Sequence, residues 1–210
     1  MKLINQSWEW MQKPFAILPL IERAGRVCYK TENKITPASA SKFVRMILKN
    51  GHESVIEHAV ASVRFITNRG VTHELVRHRL ASYSQESTRY VNYGGKDMEF
   101  IRPVWFKEET KYYTHTWGSP EQIFIDAITD AELSYNNLLN IGWKPEQARE
   151  VLPNALKTEV VVTANLREWR HIFKLRTSKR AHPQIRALML DCLEGFKEDI
   201  PILFDDIGGD

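Results

Sequence analysis

Cysteine is nearly absent from this chain. Only Cys28 and Cys192 occur among 210 residues, too few and too far apart for a disulfide framework or a thiolate zinc site, so a reducing compartment is the default. No apolar run approaches membrane-spanning length, and Met1-Lys2-Leu3-Ile4-Asn5-Gln6 lacks the apolar core of a secretory signal. A soluble, cytoplasmic protein with no membrane partner is expected. The ten glycines form neither a dinucleotide-binding fingerprint nor a P-loop. Helical metal-binding histidine pairs are missing too: His52 and His58, or His73 and His78, are wrongly spaced to clamp an ion from one helix face, and no metal is expected. Charge of one sign is not in excess. With 29 Lys+Arg against 26 Asp+Glu the net charge is +3, which favours anionic partners without the dense patch of a nucleic-acid binder.

What is present is ordinary globular composition, 43% hydrophobic and 26% charged, enough for a single domain over residues 1–210. The pattern predicts an α+β fold, a mixed or antiparallel sheet flanked by helices. Apolar spacing gives a helix over 17–29 with Cys28 on its buried face. A second helix over 37–49 starts from Thr36 and Pro37, with Phe43, Met46 and Ile47 as its stripe. A strand is expected over 59–67, a turn at 68–70, a short helix over 72–76, and one or two strands over 90–102. Residues 103–118 read as a surface insertion. Ser119 caps a long helix over 120–141, whose apolar positions include Ile123, Ala127, Ala131, Leu138 and Leu139. Short helical residues 145–152 precede a strand over 157–164. On a helix over 165–176, Leu166, Trp169 and Phe173 form an apolar stripe and Arg167, Arg170, His171 and Lys174 a cationic one. A last helix over 183–196 carries Cys192 on its apolar side.

Arg77-His78-Arg79-Leu80-Ala81-Ser82-Tyr83-Ser84-Gln85-Glu86-Ser87-Thr88-Arg89-Tyr90 stands apart. If extended, it places Arg77 and Arg79 on one face. Guanidinium forks suit phosphate and carboxylate, and Ser82, Ser84, Ser87 and Thr88 add neutral donors. This is the composition of an anion site, or else of a solvated basic loop. Ser87 has no identifiable base to activate it, so it reads as a ligand contact rather than a nucleophile. Both cysteines are placed on apolar faces, where an inert thiol is expected, so any difficult chemical step falls to a cofactor and to electrostatics.

Arg77-His78-Arg79, then Ser82, then Ser87-x-Arg89, resembles the signature of the flavin-dependent thymidylate synthases. The resemblance extends to Gly51-His52-Glu53-Ser54 with Glu57-His58, to Glu146-x-x-Arg149 with Val151-Leu152-Pro153, and to Asn165-Leu166-Arg167 with Leu175-Arg176. In all it spans about residues 15 to 195 in order. It implies reductive methylation of dUMP to dTMP, with methylenetetrahydrofolate giving the carbon and FAD relaying electrons from NADPH. By the same resemblance FAD is assigned to His52, Ser54, Arg77, His78, Arg79, Gln85, Asn165, Arg167 and His171. The nucleotide dUMP is assigned to Glu74, Arg77, Gln85, Glu86, Ser87, Thr88, Arg89, Arg149 and Arg176. Arg176 is also the implied catalytic residue, stabilising negative charge at uracil N3. A homotetramer with shared active sites is implied as well.

The chain departs from the family pattern at Glu74, Ser84, Gln85, Glu86 and His171. A carboxylate at Glu86 beside a nucleotide phosphate is unfavourable unless it points away. Two other classes compete: a nucleic-acid-binding protein using its Arg-rich segments, and a flavoprotein oxidase without the methyl-transfer step.

Overall fold

A computed structural model describes residues 1–106 and 118–208. In chain order the elements are β1 (Lys2–Ile4), β2 (Ser7–Gln12), α1 (Ile17–Tyr29), α2 (Ser39–Lys49), β3 (Val60–Asn68), α3 (Arg69–Leu75), β4 (Ala81–Gln85), β5 (Glu99–Ile101), α4 (Pro120–Asn140), α5 (Pro145–Ala148), β6 (Lys157–Asn165), α6 (Leu166–Arg176), α7 (Pro183–Asp199) and α8 (Pro201–Phe204), with short 3-10 turns at Glu32–Lys34, Glu53–His58 and Arg149–Val151. Four strands form a sheet in the order β2-β3-β6-β4. Its directions follow from side-chain pairs. Arg64–Glu9 and Thr67–Gln6 step in opposite senses along β3 and the chain through β2. Ser62–Thr163 and the Leu166 N–H bonded to the Ala59 carbonyl do so for β3 and β6. Both pairs therefore run antiparallel, giving the expected α+β class.

The chain divides into two compact units. The first comprises Met1–Ser7, Phe65–Leu75 and Ser84–Val160. Here β1 pairs parallel with β5, Leu3 opposite Phe100. The core collects Met98, Phe100, Ile128, Tyr135, Ala148 and Leu156. The long α4 starts as its sequence demands: Ser119 accepts from the Gln122 N–H at 3.1 Å and Pro120 occupies the first turn.

The second unit comprises Trp8–Arg64, Val76–Tyr83 and Val161–Asp210. Its core is aromatic. Phe196 lies 4.9 Å from Phe173, 5.1 Å from Trp169 and 5.0 Å from Phe204, centroid to centroid. Each such ring contributes roughly 1.5–3 kcal/mol by leaving water. The Trp169 indole N–H donates to the Ala61 carbonyl at 3.1 Å, so burial leaves that donor satisfied. These contacts fix α6, the helix that carries most of the candidate site.

Several elements differ from expectation. Helix α2 begins at Ser39, not Pro37, because Ser39 Oγ turns back to the Thr36 N–H and carbonyl and reaches Glu22 at 2.8 Å. Val44 replaces Met46 in its stripe. No turn separates β3 from α3: the Asn68 side chain accepts from the Val71 N–H at 2.8 Å, so the helix starts at once. In α4 the buried positions are Ile128 and Tyr135, and Ile123 is exposed. Cys28 is exposed: it sits in the last turn of α1, beyond the buried stretch that ends at Gly25. Of the insertion expected over 103–118, residues 107–117 lie outside the described residues.

Candidate functional site

The second unit presents a cavity along α6 lined by charges of both signs. It measures about 540 Å³ and is lined by Glu53, Glu57, Leu80, Asn165, Arg167, Glu168, Arg170, His171 and Lys174. Asn165 caps the helix, accepting from the Glu168 N–H at 2.9 Å. That bond aims the first turn and sets Arg167 and His171 on one side. Arg167 is held by Glu57 at 2.6 Å.

The cationic stripe of α6 is not uniformly solvated. Arg170 is buried and forms two bonds to Asp206, at 2.7 and 2.6 Å, with a further bond to the Leu203 carbonyl. Burial works against its charge, but Asp206 and Glu53 together outweigh burial and raise its pKa. The same guanidinium lowers the Asp206 pKa. Arg170 is therefore a structural clamp between α6 and the segment after α8, a role that a surface-stripe reading misses.

His78 lies beside two of the lining residues, Glu168 and His171. It lies between α3 and β4, in the stretch 76–80 that is not extended, so Arg77 and Arg79 are exposed turn residues rather than neighbours on a strand. The His78 side chain is buried, and Tyr83 Oη donates to its backbone carbonyl at 2.7 Å. Arg176 Nε donates to His78 Nε2 at 3.0 Å, and Glu168 Oε1 lies 3.5 Å from His78 Nδ1. The His171 ring stands edge-on at 5.6 Å. Burial, then the nearby Arg176 and His171, lowers the His78 pKa to about 4, so the ring is neutral near pH 7. Burial likewise pushes Tyr83 up to about 12 and raises the Glu168 carboxyl. His78, Glu168 and His171 bring possible metal-ligating atoms within 4.8 Å of one another. The Arg176 guanidinium on the same imidazole opposes a second cation there.

His52 accepts or donates a 2.7 Å bond with Tyr29 Oη, and His52 and Ser54 are both exposed around the 3-10 turn at Glu53–His58. Of the residues assigned to FAD by resemblance, all but Gln85 belong to the second unit.

The first unit holds the other set. Gln85 Nε2 donates to Thr72 at 3.0 Å and to Thr158 at 3.2 Å. With its amide hydrogens engaged, its carbonyl oxygen is the polar atom left to accept. Glu86 accepts from Tyr93 Oη at 2.9 Å and meets Lys157 Nζ at 3.4 Å. Burial and Glu86 together raise the Tyr93 pKa. Lys157 also pairs with Glu159. Lys157 thus offsets part of the extra carboxylate's charge, being shared with Glu159. Ser87 shapes the following turn, its carbonyl accepting from the Tyr90 and Val91 N–H groups at 3.2 and 2.9 Å and its hydroxyl from the Arg89 N–H at 3.3 Å. Arg89 lies over the Tyr90 ring at 5.5 Å. Arg149 reaches buried Thr88 at 3.3 Å. Glu74, on α3, is half-buried. Of the nucleotide set, Arg77 and Arg176 belong instead to the second unit.

Sequence reasoning gave no ligand contact to Glu53, Glu57, Glu168 or Lys174, although Glu53 and Glu57 fall in a segment that carries the resemblance and Lys174 in the cationic stripe. Glu168 had a visible alternative role: Asn165-x-x-Glu168 is a helix-start pattern, which gives no hint of a histidine reached from another segment.

The family described as thymidylate synthase complementing protein matches residues 17–202. A flavin-dependent thymidylate synthase from Corynebacterium efficiens is 38% identical over 206 residues, covering 89% of this chain and 78% of that protein. One from Corynebacterium glutamicum is 35% identical over 217 residues, covering 94% and 82%. One from Mycobacterium tuberculosis is 36% identical over 198 residues, covering 89% and 78%. Among solved structures, the UMP/dUMP methylase PolB from Streptomyces cacaoi, bound with 5-Br dUMP, aligns with a TM-score of 0.80 at 24% identity. It covers 98% of this chain and 96% of that one, a likeness of fold.

Proposed function

The chain belongs to the flavin-dependent thymidylate synthase family, and on that premise we propose that it converts dUMP to dTMP by reductive methylation. Methylenetetrahydrofolate is the carbon donor and NADPH the source of electrons. FAD, when bound, relays those electrons, which removes the need for a cysteine nucleophile. Accordingly Cys192 is fully buried and its thiol pKa is raised well above the ordinary value by burial.

The observation that carries the reading is the α6 cavity. Its volume suits a bound small molecule, and Arg167, Lys174, Asn165 and His171 supply the cations and hydrogen-bonding groups a flavin nucleotide requires. Leu80, 74% exposed at the rim, offers apolar surface to a planar ring. These residues, with His52, Ser54, Arg77, His78 and Arg79, hold FAD. Gln85 offers its carbonyl oxygen to either ligand.

The nucleotide is held by Ser87, Thr88, Arg89 and Arg149, with Glu74, Glu86 and Arg77. Two guanidiniums match a phosphate dianion, and Lys157 offsets part of the Glu86 charge. Arg176 acts at the uracil ring. It lies in the last turn of α6 with its Nε anchored on His78, and a fixed cation beside N3 stabilises the charge that makes C5 nucleophilic. Nothing in this scheme requires both ligand sets to come from one chain.

The protein acts as a single-domain, cytoplasmic homotetramer. Exposed apolar side chains such as Phe15, Tyr90, Ile141 and Trp143 suit burial between copies. Among the described residues no helix is long and apolar enough to cross a membrane.

The test is turnover with purified protein. Arg176→Ala should abolish dTMP formation while FAD remains bound, and the flavin absorption spectrum should respond to dUMP. Near-normal turnover of that variant removes Arg176 from the chemistry. Failure to bind FAD at micromolar concentration, with tight salt-sensitive DNA binding, would favour a nucleic-acid-binding protein instead.

A further inference from the structure

We propose that Glu168 is a positioning residue that fixes the tautomer of His78 and, through it, the orientation of Arg176. The inference rests on the reading that Arg176 acts on the uracil ring.

An arginine Nε–H can only donate. At 3.0 Å from Arg176 Nε, His78 Nε2 must therefore present a lone pair. A neutral imidazole with Nε2 unprotonated carries its proton on Nδ1, the nitrogen that Glu168 Oε1 faces at 3.5 Å. A carboxylate on that side favours the Nδ1–H form and disfavours the other. The other tautomer would set two N–H groups against each other and push Arg176 off the ring.

The rest of the surroundings is arranged to hold this state. His78 is 5% exposed, so solvent cannot readily exchange its partners. Its main chain is tied by the Tyr83 hydroxyl at 2.7 Å. The groups facing the imidazole are Glu168, His171 and Arg176 from α6, and Tyr83 from β4. Among these, Glu168 is the carboxylate placed on the Nδ1 side, at 3.5 Å the long limit for accepting from Nδ1–H. With Nε committed to His78, a two-point grip by Arg176 on a uracil edge comes from its Nη1–Nη2 side. The orientation of that side is what the relay sets. Glu168 and Arg176 bracket α6 at its first and last turns, so one rigid helix carries both ends of the relay.

The experiment combines NMR with kinetics on the full-length FAD-loaded protein. In ¹⁵N-histidine-labelled wild type, His78 should give the Nδ1–H, Nε2-unprotonated pattern; an Nε2–H pattern overturns the proposal without any variant. Glu168→Leu removes the acceptor at similar volume. It should mix the two tautomers and lower kcat about 10–100-fold, the range for losing the outer hydrogen bond of a metal-ligating histidine. Glu168→Gln, whose amide oxygen can still accept, should restore most of kcat. Unchanged kcat and tautomer in Glu168→Leu overturns the positioning role, as does an equal loss in both variants. If Arg176→Ala also turns over normally, the functional reading itself has failed; if Arg176→Ala is inactive while Glu168→Leu is normal, only the relay has.

Discussion

The neutral, buried His78 should make folding stability depend on pH in a calculable way. Its pKa falls from the ordinary 6.5 to about 4, chiefly through burial. Between those values the unfolded chain binds a proton there that the folded chain refuses, so stability rises with pH across that window and is flat above it. Acidification from pH 7 to pH 4 or below should therefore cost up to about 3 kcal/mol from this one group, with about 2 kcal/mol of it gone by pH 5. The perturbation is His78→Asn, which keeps a polar side chain but does not titrate. Urea unfolding of both proteins at fixed protomer concentration, at pH 7, 6, 5 and 4, gives two stability curves. Their difference should shrink or reverse by this amount on going to acid, because Glu168, His171 and Arg176 remain in both. A difference that stays constant from pH 7 to pH 4 would refute the claim that a folded-state histidine is held neutral by burial.

Two further outcomes follow from the same structure. Asp206→Ala leaves the buried Arg170 without its two-bond partner; because Asp206 is itself largely exposed, the loss should be about 2–3 kcal/mol, below the full range for a buried pair, read as a shift in urea midpoint. A Cys28→Ser, Cys192→Ala double variant should keep dTMP turnover within about twofold while losing about 1 kcal/mol of stability from the cavity at Cys192; abolished turnover in a folded variant would require a thiol in the chemistry.

The elements legible in the sequence are those whose local chemistry agrees with their packing. Ser119-Pro120 starts α4, Gly142 with φ of +99° follows its end, and the spacing of Leu166, Trp169 and Phe173 gives the buried face of α6. Strand β4 was hidden because Ala81–Gln85 carries little apolar alternation; its pairing with β6, not its own composition, makes it a strand. Strand β2 did carry a signal, Trp8 and Trp10 at period two, but it is short and close to the start. Cys28 follows the apolar spacing of α1 and still faces outward, because periodicity says which side is apolar and not how far the cover extends. Arg170 shows the converse: a charge in a cationic stripe is buried because Asp206, 36 residues away, meets it.

The same distinction applies to the candidate site. Motif spacing could gather His52, Ser54, Arg77 to Arg79, Asn165, Arg167, His171 and Arg176 as a group by resemblance. It could not reveal that Glu168 approaches His78, or that Lys157 pairs with Glu86. Both are contacts between segments distant in sequence, and the local pattern around each residue already had another explanation.

The central claim is tested most directly by dTMP formation from dUMP, methylenetetrahydrofolate and NADPH with purified protein, measured with and without FAD. dTMP should form in the presence of FAD and not after FAD is removed, with activity returning when it is restored. Equal dTMP formation without FAD, or none with FAD bound and all substrates present, would contradict it.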